Sequence, residues 1–156
     1  MKKLFITAAI ATMFSVTAFA KSTTYTGEEN ISYTVLNRFH TDFSQATNAA
    51  WTVTPNCQKV IFTLNGAKLT AFYDLGGAYL GVTQDVDFKE IPFSLQKEVT
   101  AKYGTYAVNE VIKFETDSNN TEINPLVYFV DLKKADSEVI VKVIPGEGLS
   151  FYKKVK

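Results

Sequence analysis

The sequence predicts an α+β fold in which a helix followed by antiparallel strands occurs twice in tandem, with the helices packed on one face of an antiparallel sheet. Apolar residues first recur at every fourth position, at Ile31, Val35, Phe39 and Phe43. This spacing is the period of an amphipathic helix, whereas the alternation that begins after Trp51 is the period of a strand. The same order of helix and then strands returns after Pro92. Such segregation covers one sheet face with helices and leaves the other face to solvent.

The first 20 residues have the three parts of a secretory signal peptide. Lys2 and Lys3 precede an apolar run, which ends in Ala18-Phe19-Ala20. They predict cleavage after Ala20 and a mature chain that is periplasmic or secreted. The apolar run is shorter than the roughly 20 residues that span a bilayer, so we expect no stable membrane insertion after cleavage. The polar residues 21–29 predict a flexible N-terminal segment.

The first predicted repeat covers residues 30 to about 88. Thr26 and Glu29 have the spacing of a capping box, which predicts the start of the first helix. Asn65-Gly66 separates two alternating segments and indicates a two-residue hairpin turn, because both positions tolerate positive φ. A turn at 74–77 and a further strand at 79–86 complete an antiparallel meander.

The second predicted repeat covers about 89–156. Pro92 favours a helix start, and Gly104 follows the apolar positions Leu95, Val99 and Tyr103 as a helix end. Strands are expected at about 106–116, 125–132, 138–144 and 149–155, separated by polar breaks. The two repeats together form one predicted domain, residues 30–156.

An ordered set of residues resembles the PepSY-like group related to beta-lactamase-inhibitor proteins (BLIP-like proteins). The set comprises Phe43, Ala46 and Trp51, then Ala71 to Asp74 with Gly77, Ile91-Pro92, Tyr103-Gly104 and Tyr152-Lys153. Ser44 stands where such sequences often have proline. The resemblance implies a secreted or periplasmic, non-enzymatic module, and some relatives bind and inhibit enzymes. It transfers no binding residue to this chain.

The charge and the reactive residues narrow the functional classes. Without Lys2 and Lys3 the chain has 14 basic residues against 16 acidic ones, which is unlike the basic surface of a nucleic-acid binder. His40 and Cys57 are the only residues of their kinds, so a catalytic triad, a zinc site or an intramolecular disulfide is not expected. We therefore predict no enzyme, no cofactor and no metal. A hydrolase that depends on His40 is the least favoured reading.

The aromatic strands predict a binding face. If Val60, Leu69, Leu80 and Tyr128 face the helices, alternation places another set on the opposite face: Ile61, Phe72, Tyr79, Phe129 and Tyr152. Exposed apolar patches tend to mark interaction sites, although these residues could equally be cross-strand pairs that stabilise the sheet. A slip of one residue in register would exchange the two faces.

The predicted function is a binding module, inhibitor-like in kind, that docks an unknown protein or peptide on this open sheet face. The alternative is an envelope protein that binds a small ligand or a cation between the sheet and a loop. Asp85 and Asp87 support that alternative, because alternate strand residues place two carboxylates on one side.

Overall fold

A computed structural model of the chain describes residues 25–117 and 125–156. The predicted signal peptide and its cleavage site lie outside the described residues. Two α-helices occur in the described parts, α1 (Tyr33–Asp42) and α2 (Phe93–Tyr103). Each follows a single 3₁₀ turn, at Glu28–Asn30 and Phe88–Glu90. The strands are β1 (Tyr25–Thr26), β2 (Thr47–Val53), β3 (Gln58–Leu64), β4 (Ala67–Tyr73), β5 (Tyr79–Asp85), β6 (Ala107–Glu115), β7 (Leu126–Lys134), β8 (Ser137–Ile144) and β9 (Gly148–Lys154).

The predicted tandem α+β fold class is wrong. The nine described strands are hydrogen-bonded in chain order in one antiparallel sheet, and the two helices are short additions to it. The strands of both predicted repeats join in one continuous sheet, although the predicted hairpin turns are present. Between β3 and β4, for example, Asn65 and Gly66 take φ values of 51° and 79°, the left-handed conformation of a tight hairpin.

The start of α1 differs from the predicted one. Ser32 is its N-cap, and the Ser32 hydroxyl accepts a hydrogen bond from the Val35 amide at 3.4 Å. Thr26, the predicted cap, belongs to β1 and pairs with Thr52 of β2. Both threonine and serine suit an N-cap. Here the chain around Thr26 pairs as a strand, within the segment that was predicted to be flexible.

The described residues divide into two compact units, one that ends at Val82 and one that begins at Thr83. In the first unit the predicted apolar stripe of α1 packs on the sheet. The ring of Phe39 lies 5.1 Å from those of both Trp51 and Phe62, centroid to centroid. Other buried members of this core are Ile31, Val35, Val60, Ala71, Tyr73 and Val82. Each large apolar side chain that is fully buried contributes about 1.5–3 kcal/mol.

In the second unit, α2 packs on the sheet in the same manner. Pro92 is its N-cap residue and Gly104 its C-cap residue, as predicted. Leu95 and Val99 are buried on the inner side of the helix. The strand residues of this core are Val111, Tyr128, Val130, Leu132, Val139, Val141 and Val143. Because alternate strand residues point to opposite faces, the residues between these lie on the far side of the sheet from α2.

Candidate functional site

A predicted site residue is available to a partner only if it lies on the face of its strand that is turned away from the helices. Val60, Leu69 and Tyr128 belong to the helix-side clusters, as predicted. Tyr79 also packs there, with its ring centroid 5.6 Å from that of Tyr73, so its predicted place on the opposite face is wrong. Regular alternation fails in β5, where Gly81 takes a φ of 144°.

Ile61 and Phe72 lie on the predicted face, away from α1. Phe72 pairs with Lys59, and Ile61 pairs with Thr70, next to pairs that face the helix. Phe72 is only 6% exposed, and Ile61 is half-buried. This part of the first unit is therefore a mixed surface, in which apolar side chains alternate with lysine and threonine.

Phe129 and Tyr152 lie together on the far face of the second unit. Their ring centroids are 5.1 Å apart at an interplanar angle of 67°. Phe129 is 3% exposed, and Tyr152 is half-buried. The β8–β9 register shifts between Ile140 and Val141, and such a bulge can re-aim a side chain. Burial raises the pKa of the Tyr152 hydroxyl.

Sequence reasoning missed most of the residues around this pair. On the same face, Ile112 pairs with Phe129, and Phe114 pairs with Val127. Ile140 and Ile144 are further buried residues of this face in β8. We define the far face of the second unit by its seven apolar residues, Ile112, Phe114, Val127, Phe129, Ile140, Ile144 and Tyr152. These residues alternate along each strand with residues of the helix side, and this alternation in the sequence could have identified them.

Three carboxylates lie at the border of this apolar face, near enough for the charges of Asp85 and Asp131 to affect Glu110. Glu110 of β6 pairs directly with Asp131 of β7. Asp85 ends β5 and precedes Val86, whose amide donates to the Val111 carbonyl of β6 at 2.9 Å, so Asp85 lies opposite Ile112 and diagonal to Glu110. We call Asp85, Glu110 and Asp131 the acidic row. An aspartate inside an apolar strand was the signal in the sequence, and it was not used.

Asp131 is the buried member of the acidic row, at 6% exposure. Its Oδ2 atom accepts a hydrogen bond of 2.6 Å from the Asn109 side-chain amide and lies 3.8 Å from the Lys133 ammonium. Its Oδ1 atom is buried and has no hydrogen-bond partner. Oδ1 is therefore an acceptor without a donor. A buried polar atom in this state costs about 1–3 kcal/mol.

The pKa of Glu110 is changed by its surroundings in the acidic row. Burial raises the pKa of its carboxyl above the ordinary value of 4.5, and the charges of Asp85 and Asp131 raise it further, against an opposing effect of Lys133. The neighbouring carboxylates therefore disfavour the ionised form of Glu110. Chemically, the acidic row can accept hydrogen bonds from a cationic group.

The other reactive residues have local structural contacts. The Asp87 carboxylate accepts from the Lys89 amide at 2.8 Å as the cap of a 3₁₀ turn. His40 is exposed on α1, with its ring 5.8 Å from that of Phe39. The buried Cys57 sulfur lies 3.4 Å from the Thr54 hydroxyl. In residues 25–117 and 125–156, no three Asp, Glu, His or Cys side chains are placed to hold a metal ion.

Solved structures share this fold. A BLIP-like protein from Bacteroides fragilis superposes with a TM-score of 0.67 at 15% identity, covering 80% of this chain and 86% of its own. A DUF2874 family protein from Bacteroides uniformis gives 0.71 at 15% identity, with 80% and 90% covered. A protein provisionally assigned to the periplasm of Bacteroides eggerthii gives 0.68 at 12% identity, with 80% and 88% covered.

These similarities establish the fold and no more. The BLIP-like part of the resemblance is confirmed, whereas the PepSY-like part has no support among these structures. No protein-family model matches the sequence, and no curated protein matches it. Within the described residues, neither helix has the length and apolar character needed to cross a membrane.

Proposed function

We propose that this chain is a periplasmic or secreted, non-enzymatic binding module of the BLIP-like kind, which docks a protein or peptide on the far face of the second unit. The observation that carries the proposal is the pair of partly accessible apolar residues Ile112 and Tyr152 above a buried apolar floor that includes Phe129, with Lys142 and the acidic row as charged neighbours on the same face. An apolar centre with a polar rim is the usual anatomy of a protein interface.

The packing of this face also favours binding. Phe129, Ile140 and Phe114 form a buried floor, and Ile112, Tyr152 and the neighbouring Lys142 remain partly accessible above it. Side chains that are fixed before association lose less entropy when they bind. A rigid floor with a few accessible groups therefore favours a specific partner.

The residues predicted from the sequence have unequal places in this proposal. Phe129 and Tyr152 belong to the proposed docking face. Ile61 and Phe72 remain a separate candidate on the first unit, where polar neighbours interrupt the apolar surface. Tyr79 packs in the helix-side core, and we assign it no contact with a partner.

The proposed location has two supports. The sequence begins with a pattern typical of a signal peptide, and one structural neighbour is provisionally assigned to the periplasm. The BLIP-like neighbour supports a protein as the class of partner. An inhibitor-like role is the form of binding that we consider first.

The test is an affinity capture with matched variants. The full chain, with a C-terminal tag, is crosslinked in envelope and culture-fluid extracts, and retained proteins are identified. Ile112→Asp places a charge on the far face, and Val108→Asp places the same charge on the same strand at an exposed position that pairs with the helix-side Leu132. Both variants are first checked for folding by circular dichroism.

We expect one dominant protein with the unchanged chain and with Val108→Asp, and its loss with Ile112→Asp. Equal capture by the two variants contradicts docking on this face. If no protein is retained specifically by the unchanged chain, the proposed function is wrong.

A further inference from the structure

We propose that the chain forms a homodimer in which the β9 strands of two copies pair antiparallel, edge to edge, around a twofold axis at Ser150. This inference goes beyond the proposed function. It concerns the edge of the sheet and the side that bears α2, whereas the proposed docking site lies on the far face. The occupant of the edge is a second copy of the same chain.

The first support is the open edge of β9. Within residues 25–117 and 125–156, β9 is the last strand of the sheet and pairs only with β8. Edge strands are usually protected against further pairing by lysines or by a bulge. In β9 both devices come after Phe151, as the register shift that follows it and as Lys153 and Lys154. The stretch from Gly148 to Phe151 has neither.

The backbone of this stretch is aimed at the open side. Glu138 of β8 and Lys156 exchange two backbone hydrogen bonds, at 3.2 and 3.3 Å, so every second residue of β8 from Glu138 bonds towards β9. The residue of β8 that pairs with Ser150 belongs to this series. The residues on either side of Ser150, Leu149 and Phe151, therefore direct their N–H and C=O groups away from β8, where another strand can pair with them.

The second support is an apolar contact that a second copy completes. Leu149 and Phe151 pair with Val143 and Val141, two residues of the helix-side core, so both point to the side that bears α2. Phe151 is nevertheless 57% exposed. When Ser150 lies opposite its own equivalent, Leu149 of each copy pairs with Phe151 of the other. Cross-strand apolar pairs of this kind stabilise a sheet.

A groove beside the edge has room for the incoming ring. It is a shallow, open groove of about 430 Å³ between α2 and β9, and its lining residues are Glu98, Ala101, Lys102 and Leu149. Phe151 of the second copy would lie next to Leu149, at this groove. Ala101 and the aliphatic part of Lys102 form an apolar wall. Glu98 and Lys102 have opposite charges, so the wall repels neither sign.

The third support is the charge pattern along the edge. The uncharged residues 148–152 lie between Glu147 and Lys153. Antiparallel pairing around Ser150 brings Lys153 of each copy towards Glu147 of the other, whereas parallel pairing would bring like charges together. Lys142 pairs with Ser150 on the far face. Three strand spacings separate it from its equivalent, about 14 Å, which is beyond the screening length of about 8 Å in physiological salt.

The first test measures the mass of the untagged full chain by sedimentation equilibrium. The concentrations run from about 1 μM to about 1 mM, the range in which small interfaces associate. We expect the mass to rise from one chain to two. Phe151→Ala should weaken the association by about tenfold or more, the loss of a central aromatic contact. Phe93→Ala is the matched control, because that ring is 68% exposed on α2, away from the edge.

The second test locates the twofold axis by disulfide formation in a glutathione buffer. Ser150→Cys places two thiols on directly opposed residues, whose Cβ atoms lie about 4.5–5.5 Å apart in such a pair, close enough for a disulfide after a small shift. Lys154→Cys is the control, at an exposed position of the same strand away from the axis. We expect crosslinked dimer with Ser150→Cys and several-fold less with Lys154→Cys. The buried Cys57 is common to both variants.

A mass of one chain at every concentration would overturn the inference. Equal association of Phe151→Ala and Phe93→Ala would also overturn it, as would equal crosslinking of the two cysteine variants, because the copies would then meet elsewhere. Circular dichroism first establishes that each variant is folded. The outcome is independent of the proposed function, which is tested at Ile112 on the far face and requires no dimer.

Discussion

The ring of Tyr152 in β9 packs edge-on against the ring of Phe129 in β7, across the intervening strand β8. Aromatic pairs in this geometry contribute about 0.5–1.5 kcal/mol beyond their burial. Two aromatic rings therefore hold together the centre of the proposed docking face. The pair stabilises the sheet even before any partner binds. The effects of a substitution on stability and on binding can therefore be separated only with matched variants.

Phe129→Ala is expected to destabilise the protein by about 3–5 kcal/mol, because it removes a buried ring and leaves a cavity. Phe151→Ala is the control, since that ring is 57% exposed and its loss should change the free energy of unfolding by no more than about 0.5 kcal/mol. Urea unfolding followed by fluorescence measures both. Similar losses in the two variants would contradict the packing described for Phe129.

Tyr73→Phe is expected to leave the stability unchanged or to raise it. The Tyr73 hydroxyl is buried without a hydrogen-bond partner, and burial raises its pKa well above the usual value. Removing an unsatisfied buried hydroxyl removes its desolvation cost. Thermal unfolding at neutral pH measures the effect.

Tyr128→Phe provides the comparison for Tyr73→Phe. The Tyr128 hydroxyl donates to the Glu90 carbonyl at 3.4 Å, so its removal should lower the stability by a few tenths to about 1 kcal/mol. A clear loss of stability with Tyr73→Phe would mean that the hydroxyl has a partner in solution.

Gln58→Ala should cost about 1–3 kcal/mol, because Gln58 connects the start of α1 to the sheet. Its side-chain oxygen accepts from the Ser32 amide at 3.1 Å, and its side-chain nitrogen donates to the Asp74 carbonyl at 3.2 Å. Gln58 is 4% exposed and its bond to the Ser32 amide is partly buried, so the substitution would leave this amide without its partner. Gln45→Ala, at an exposed position, should be nearly neutral. Equal unfolding midpoints for the two variants would refute this role.

The periodic parts of the sequence were predicted successfully, and the reason is that they depend on neighbours in the chain. The stripe containing Val35 and Phe39 and the turn at Asn65-Gly66 are local patterns. The start of α1 was misplaced because Thr26 and Ser32 both suit a cap, and strand pairing of Thr26 with Thr52 decides between them. That pairing is a contact between distant segments.

The difference between local patterns and contacts of distant segments also explains the errors in the predicted fold class and in the predicted site. Continuous hydrogen bonding of nine strands depends on pairings that no local period encodes. Tyr79 was assigned to the wrong face because Leu80 was assumed to face the helices, whereas regular alternation fails in β5, where Gly81 takes a φ of 144°. Phe129 and Tyr152 were both proposed, but their contact depends on the shifted β8–β9 register. The unfilled oxygen of Asp131 is a property of packing alone.

Glu110→Gln should make the protein more stable than the unchanged chain at neutral pH and should flatten its stability at acidic pH. Burial and the charges of Asp85 and Asp131 raise the pKa of Glu110 in the folded state above 4.5, the ordinary value. Between those two pKa values the folded chain holds a proton that the unfolded chain has released. The free energy of unfolding therefore falls as the pH rises from about 4.5 through the raised value, and levels off above it.

The measurement is urea unfolding at a series of pH values for the unchanged chain, Glu110→Gln and Glu115→Gln. The difference between the first two curves isolates Glu110, because the other titrating groups are common to both. It should be smallest at the acid end and grow in favour of glutamine as the pH rises. Glu115→Gln, at a carboxylate paired with Lys113 at 3.1 Å, is the control for the same change on the same strand. A difference that grows in favour of glutamate would mean that Lys133 outweighs the neighbouring carboxylates.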